Sequence, residues 1–352
     1  MDATPAALNN NRIDYLDFAK GFCMIAILLG HLGETGINRV VYTFHLPVFF
    51  IISGYFFDPD KSFGETISKK LKSLIWPYYF AGLLVVLFSV LANWLVFRTD
   101  FGTIRYDVLY WSFATVFGVG TNVRNSLLFM PPIGMIWFLW ATFWAIILLW
   151  LLMKLPVIPR VILIVTIFVL ANITVEKGWF LPLSIQPGCS AVLYMYIGFL
   201  WKKHKDKLVA LSLVVKVLLI VFSVAVWALF ILNFATFWLV GCDYGHGLRD
   251  VIGSISASAI VLGLSYIVVK YGEKFTLFIR FIGKYAIIAM TAQLMELNAF
   301  RLNDQVWRSL EGCMPYILAL LILILIKLCW MYLFTWMFSR FRITRKLFGL
   351  KY

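Results

Sequence analysis

The chain is dominated by a succession of about ten apolar stretches, each close to the length that crosses a lipid bilayer. They run approximately over 15–33, 39–57, 73–97, 133–153, 158–176, 188–201, 209–237, 249–270, 280–300 and 314–338. A helix needs about 20 apolar residues to span the hydrocarbon core. Hydrocarbon offers no hydrogen-bond partner, so each stretch is predicted to be a helix that satisfies its own backbone. The first and sixth stretches are short or interrupted. The apolar stretch 106–120 is too short to cross and is expected to be re-entrant or interfacial. The expected fold class is all-α, a polytopic transmembrane helical bundle of about ten spans. No internal repeat is visible, and the chain reads as one membrane-embedded domain over residues 1–352.

Composition agrees. Of the residues, 62% are hydrophobic and 14% charged, whereas a soluble domain carries about 25% charged residues. The 14 Trp suit the membrane–water boundary. A net charge of +14 would also suit nucleic acid. A nucleic-acid binder is not apolar over most of its length, so membrane lipid is the expected partner and nucleic acid is not. The Lys and Arg residues mark loops instead. With the N-terminus cytoplasmic and the spans alternating, the inner loops hold Lys61, Lys69, Lys70, Lys72, Lys154, Arg160, Lys202, Lys203, Lys205, Lys207, Lys270, Lys274 and Arg280. Arg12 precedes them, and Arg340, Arg342, Arg345, Lys346 and Lys351 follow. The outer loops hold fewer than half as many: Arg39, Arg98, Arg105, Arg124, Lys177, Arg249, Arg301 and Arg308. This asymmetry follows the positive-inside rule and predicts that both termini are cytoplasmic. No cleavable signal peptide is expected, because the first eleven residues are polar and no A-x-A site follows the first apolar run. The five cysteines, at 23, 189, 242, 313 and 329, form no CxxC or metal-ligand spacing, so no metal site is expected.

The first helix reads RIDYLDFAKGFCMIAILLGHLGETG. Lys20 and His31 are eleven residues apart, three turns plus roughly 20°, so they share a face about 16 Å apart along the axis. A charge in the bilayer centre costs about 2.5–3.5 kcal/mol, so that face is expected to meet protein rather than lipid. Asp17, one turn before Lys20, is its natural partner. Glu34, three residues after His31, is placed to orient the imidazole and stabilise its charged form. A snorkelling Lys and a helix-end His would show the same spacing. The second helix begins TFHLPVFFIISGYFF. His45 enters from the outer side, close in depth to His31, although a polar residue before Pro47 would also read this way. Ser53 and Gly54 read as a point of close helix approach.

These residues resemble a family. Lys20-x10-His31 followed by FHLPVFFIISGYFF is similar to the acyltransferase family 3 membrane proteins, with the fucose 4-O-acetylase-like sugar O-acetyltransferases as the nearest branch. KKLKSLIWPYYF (69–80), IWFLWATF (136–143) and IGKYAIIAMTAQ (282–293) resemble later family elements, so the resemblance spans roughly residues 12–300. The late element departs from the pattern. Tyr285 stands where a Ser is usual, and Gln293 where a His is usual.

The resemblance implies a transferase of a bacterial inner (plasma) membrane, carrying out O-acetylation of a polysaccharide or other cell-envelope glycan. An acyl group, usually acetyl, would pass from acyl-CoA to a sugar hydroxyl. His31 would be the general base, since an imidazole titrates near neutrality, with Lys20 and Glu34 beside it in the catalytic group. His45, Trp137, Gln293 and Asp17 would contact substrate. Lys69, Lys70 and Lys72 would hold the phosphates of acetyl-CoA, the acyl donor, with no metal involved. An inner loop also gathers lysines for topology alone, and Trp137 also suits an interfacial anchor. Lys216 is expected to snorkel, Lys284 to face a cavity, and His204 and His246 to be solvated loop residues; Lys327 has no assigned place. A transporter or flippase for a lipid or glycan intermediate is the alternative, but such proteins often carry repeats, which this sequence lacks.

Overall fold

The computed structural model describes residues 13–122, 128–310 and 312–350. The N-terminal segment expected in the cytoplasm, with Arg12, lies outside the described residues, as do Arg124 and Lys351. Among the described residues the chain is helical, and one short antiparallel bridge joins Trp238 and Asp243. The first half contains α1 (Asp14–Gly30), α2 (Thr35–Val41), α3 (His45–Tyr55), α4 (Phe63–Lys70), α5 (Trp76–Ala92), α6 (Phe101–Phe117), α7 (Trp137–Leu152) and α8 (Val157–Glu176). The second contains α9 (Ile185–Val209), α10 (Leu213–Leu232), α11 (Leu248–Tyr271), α12 (Leu277–Lys284), α13 (Ala286–Leu294), α14 (Leu302–Leu310), α15 (Tyr316–Arg340) and α16 (Arg342–Leu347).

Each of the ten apolar stretches contains a helix. By length and composition, six helical segments can cross a membrane: Thr35–Tyr55, Phe63–Phe97, Val157–Glu176, Leu213–Leu232, Leu248–Tyr271 and Tyr316–Arg340. The pair Lys274–Lys284 and Ala286–Ala299, bent by 71°, makes a seventh if it is one broken span. This is fewer than ten for physical reasons. Helices α1 and α7 have 17 and 16 residues. Helix α9 dilutes its apolar middle with Gln186 at one end and a Lys-rich run at the other. The stretch 106–120 lies within α6 and the turn after it.

The outer helices are apolar on the outside, as a lipid surrounding demands. Helix α10 buries only Phe230 and leaves Val214, Leu218, Val221 and Phe222 exposed. Helix α8 buries a single stripe, Ile164, Phe168, Ala171 and Val175, at helical spacing. Toward the interior, α9 packs against α3, α7 and α8, and α1 against α12, α11 and α3.

Two crossings rest on glycine. A Cβ on Gly54 would collide with the Met195 carbonyl, and one on Gly198 with the Ile51 carbonyl, so α3 and α9 meet backbone to backbone. In the same way Gly21 of α1 lies against the Ile279 carbonyl, and Gly283 of α12 against the Asp17 carbonyl. Small residues allow this where lipid provides no hydrophobic drive between helices. Gly54→Ala and Gly198→Ala are each expected to lower stability by about 1–3 kcal/mol, the usual cost of overpacking. Gly263→Ala, where nothing lies within 4 Å of the new Cβ, is expected to raise it by up to about 1 kcal/mol, because Ala favours a helix over Gly. Thermal unfolding of the three variants in detergent checks the opposite signs.

Candidate active site

Helix α1 stops at Gly30, and His31 follows with its amide still bonded to the carbonyls of Ile27 and Leu28, at 3.2 and 3.3 Å. The chain turns over residues 31–34, and the short α2 leads on into α3, which starts at His45. Pro47 sits in the first turn of α3, where a missing N–H is tolerated. This path brings His31 and His45 to one cavity of about 180 Å³. Trp137, the first residue of α7, lines it too, beside Tyr42 and the segment Phe237–Val240. A Cβ on Gly120 would collide with the Trp137 indole, so the absence of a side chain there leaves room for the ring.

The two imidazoles are held differently. His45 is buried, and its Nδ1–H donates to the Val41 carbonyl at 2.6 Å. That bond leaves Nε2 as the free lone pair of the neutral ring. Its ring lies 5.3 Å from that of Tyr42, whose hydroxyl donates to the Gly30 carbonyl at 3.1 Å. His31 is an exposed residue, so of the two it is the one open to an incoming group.

The other expected residues divide. Lys20 and Asp17 form an ion pair at 2.6 Å, one turn apart as their spacing predicts. Neither lines the cavity, and Asp17 is buried against Lys20 rather than open to a substrate. Glu34 does not turn to the imidazole. It precedes α2 and accepts a hydrogen bond from the Tyr316 hydroxyl. It lines a second, polar cavity of about 450 Å³, together with Asn303, Asp304, Trp307 and Arg308. Asn303 of this cavity donates a hydrogen bond to the carbonyl of His31, which lines the first cavity, at 3.0 Å. Gln293 lies outside both cavities: its amide nitrogen donates to the Met24 carbonyl at 2.9 Å and contacts Met331 Sδ at 3.1 Å, tying α13 to α1 and α15. At Gln293, where the resemblance leads one to expect a His, this chain has a structural cross-tie. Tyr285, the other departure, sits at the bend between α12 and α13.

Lys69 and Lys72 line a large groove of about 1170 Å³, and Lys70 does not. Lys284 lies over the Tyr285 ring at 5.3 Å and lines none of these cavities. Lys216 reaches back to the Val209 carbonyl at 2.7 Å, as a snorkelling lysine does. His246 pairs with Asp250 at 3.4 Å, away from the cavity. All five cysteines are free thiols. Among the described residues no group of three His, Cys, Asp or Glu side chains is gathered closely enough to hold a metal ion.

Several lining residues carry no sequence signal, notably Phe237–Val240 in an irregular connection. Tyr42 does carry one, because it stands three residues before His45 in YTFHLP. Lys327 is the most informative of the residues that sequence reasoning left without a role. It is completely buried in α15, 3.2 Å from the Glu296 carboxylate and 2.6 Å from Asn303 Oδ1. Glu296 lies in a π-helical turn, Met295–Ala299, a distortion frequent at functional sites. The chain of contacts therefore runs from Glu296 through Lys327 and Asn303 to the His31 backbone. Removing one member of a buried pair strands the other charge. Lys327→Met is expected to cost about 3–5 kcal/mol, and Glu296→Gln combined with Lys327→Met to recover much of it; thermal unfolding of the single and double variants measures both.

A family model described as an acyltransferase domain matches residues 13–336. The nodulation protein NolL of Mesorhizobium japonicum is 28% identical over 164 residues, a match covering 41% of this chain and 37% of that protein. The chain thus spans well under half the length of that curated relative. No solved structure matches. The family model takes in both histidines, Trp137, the Lys69–Lys72 segment and the Glu296–Lys327 pair. With apolar helices fit to cross a bilayer and an acyltransferase match over nearly its whole length, the chain is an integral membrane protein that belongs to acyltransferase family 3.

Proposed function

We propose that this protein is a membrane O-acyltransferase that moves an acyl group, acetyl in the first instance, from acyl-CoA to a hydroxyl of a sugar or cell-envelope glycan. The observation that carries this reading is the pair His31 and His45 meeting Trp137 around one cavity at the end of α1. The second cavity supports a carbohydrate acceptor. Trp307 offers a ring for a sugar face, while Glu34, Asn303, Asp304 and Arg308 offer partners for hydroxyls. Its Asn303 is hydrogen-bonded to the His31 carbonyl. The family membership supports use of an acyl donor. The excess of Lys and Arg in the expected inner loops supports a cytoplasmic Lys69–Lys72 segment, the side where acyl-CoA is found. The resemblance to the fucose 4-O-acetylase-like branch favours a bacterial inner membrane and one working unit throughout the chain.

In this reaction His31 takes the proton of the acceptor hydroxyl as its oxygen attacks the carbonyl carbon of the thioester. The carbon–sulfur bond breaks, the new ester bond forms, and the CoA thiolate leaves with the proton returned by the imidazolium. His45, with Nδ1–H committed to Val41, presents Nε2 as an acceptor that orients a substrate hydroxyl. Trp137 packs against the acyl or sugar group. Lys20, held by Asp17, stands on the donor's path along α1.

His31→Ala is expected to reduce acyl transfer by about 10²–10⁴-fold, the usual contribution of a general base, with expression and membrane insertion unchanged. Labelled acetyl-CoA supplied to purified protein with candidate glycans measures it, and undiminished transfer removes His31 from the mechanism. Lys20→Ala is expected to slow turnover in the same assay; a rate equal to that of the unmodified protein leaves Lys20 as a positional anchor. Mass spectrometry of envelope glycans with and without the protein identifies the acceptor by a lost acetyl increment.

A further inference from the structure

The C-terminal helix α16 lies beyond residue 336, where the family match ends. Its place in the fold is closely determined. Phe348, just after it, is fully buried, with its ring 5.0 Å from Phe80 and 6.1 Å from Phe338. Gly349 follows with φ +65°, and a Cβ there would lie 2.7 Å from the Lys72 carbonyl oxygen and 3.1 Å from Pro77 Cγ. Only glycine combines that backbone with that closeness. The tail is therefore seated on the π-helical turn Leu71–Ile75 and the start of α5.

This seating makes the large groove two-walled. Lys69 and Lys72 line it from one side, and Arg342 and Lys346 from the other. Among the described residues no Asp or Glu lines it. Topology alone explains cations in each segment. It does not explain why cations some 270 positions apart in the chain face one concave space. Trp76 and Tyr79 line the same space and keep exposed faces, which suits stacking of a purine ring beside the charges.

We propose that α16 forms half of the donor site, with Arg342 and Lys346 joining Lys69 and Lys72 to bind the 3′-phosphate and diphosphate of the acyl-CoA donor. This rests on the acyl-CoA reading above. Arg342 supplies planar, bidentate recognition of phosphate, and the lysines act as point charges. The donor is favoured over an anionic lipid headgroup because the exposed indole and phenol rings match an adenine as well as its phosphates.

The test uses the full chain in nanodiscs of zwitterionic lipid, with CoA and dephospho-CoA as probes. Arg342→Gln/Lys346→Gln is expected to weaken CoA binding by about tenfold or more, since one charged hydrogen bond is worth about 1.5–3 kcal/mol. The loss should be smaller for dephospho-CoA, and it should appear as a raised KM for the donor with kcat retained. Arg342→Lys/Lys346→Arg should recover most of the affinity. Arg340→Gln, whose guanidinium lies over Trp336 at 4.8 Å and outside the groove, should bind as the unmodified protein does. Unchanged CoA affinity in the double Gln variant overturns the proposal. So does a variant that keeps CoA but loses association with phosphatidylglycerol vesicles, which assigns the groove to lipid. If the unmodified protein binds no CoA yet transfers acyl groups from another donor, the acyl-CoA reading falls and this proposal with it.

Discussion

Hydrocarbon supplies no hydrogen bonds, and the organisation of this protein follows from that constraint. A polar side chain within the apolar segments is stabilised by a partner inside the bundle. Lys327 finds Glu296 and Asn303. Asp107 accepts from Ser89 and Asn93, at 3.2 and 2.7 Å. Tyr194 pairs with Ser254 at 2.9 Å. Helices α8 and α10 carry few such residues and turn exposed apolar faces outward. The candidate active site is where this inward collection leaves space: two histidines beside a cavity, next to a buried ion pair.

Helix α1 connects the two ends of that arrangement. Gly21 lets α12 approach it backbone to backbone, and Gly283 does the same from the other side. Gln293 adds a hydrogen bond to the Met24 carbonyl. Thus α1 is held by α12 and α13. The departure at Gln293 is intelligible on this basis. A position that could be a reactive imidazole has become a cross-tie, and the proposed chemistry draws on His31 and His45 instead.

The residues that could be read from sequence were those whose placement depends on one helix. The Lys20–Asp17 pair follows from spacing of one turn. The meeting of His31 and His45 needed only a reversal between two neighbouring helices. Glu34 failed for a related reason. Three residues after His31 would be one turn if α1 continued, but the helix ends at Gly30 and the carboxylate is carried round to Tyr316. Lys70 failed because the chain passes into a π-helical turn at Leu71, and only Lys69 and Lys72 line the groove. Lys327 had no place in the sequence reading because its partners come from π-helical Met295–Ala299 and from α14, and no local pattern connects them.

The sequence by itself determined that the chain is helical, that it belongs in a bilayer, and that Lys20 of α1 pairs with Asp17 one turn away. These are consequences of hydrophobic length and of 3.6-residue periodicity, which act within a single segment. Only the tertiary structure decided which helices face lipid, which polar groups pair, and that α16 folds back to complete the cationic groove. Those outcomes depend on contacts between segments far apart in the chain, made where glycine allows backbones to touch and where a buried charge must find its opposite.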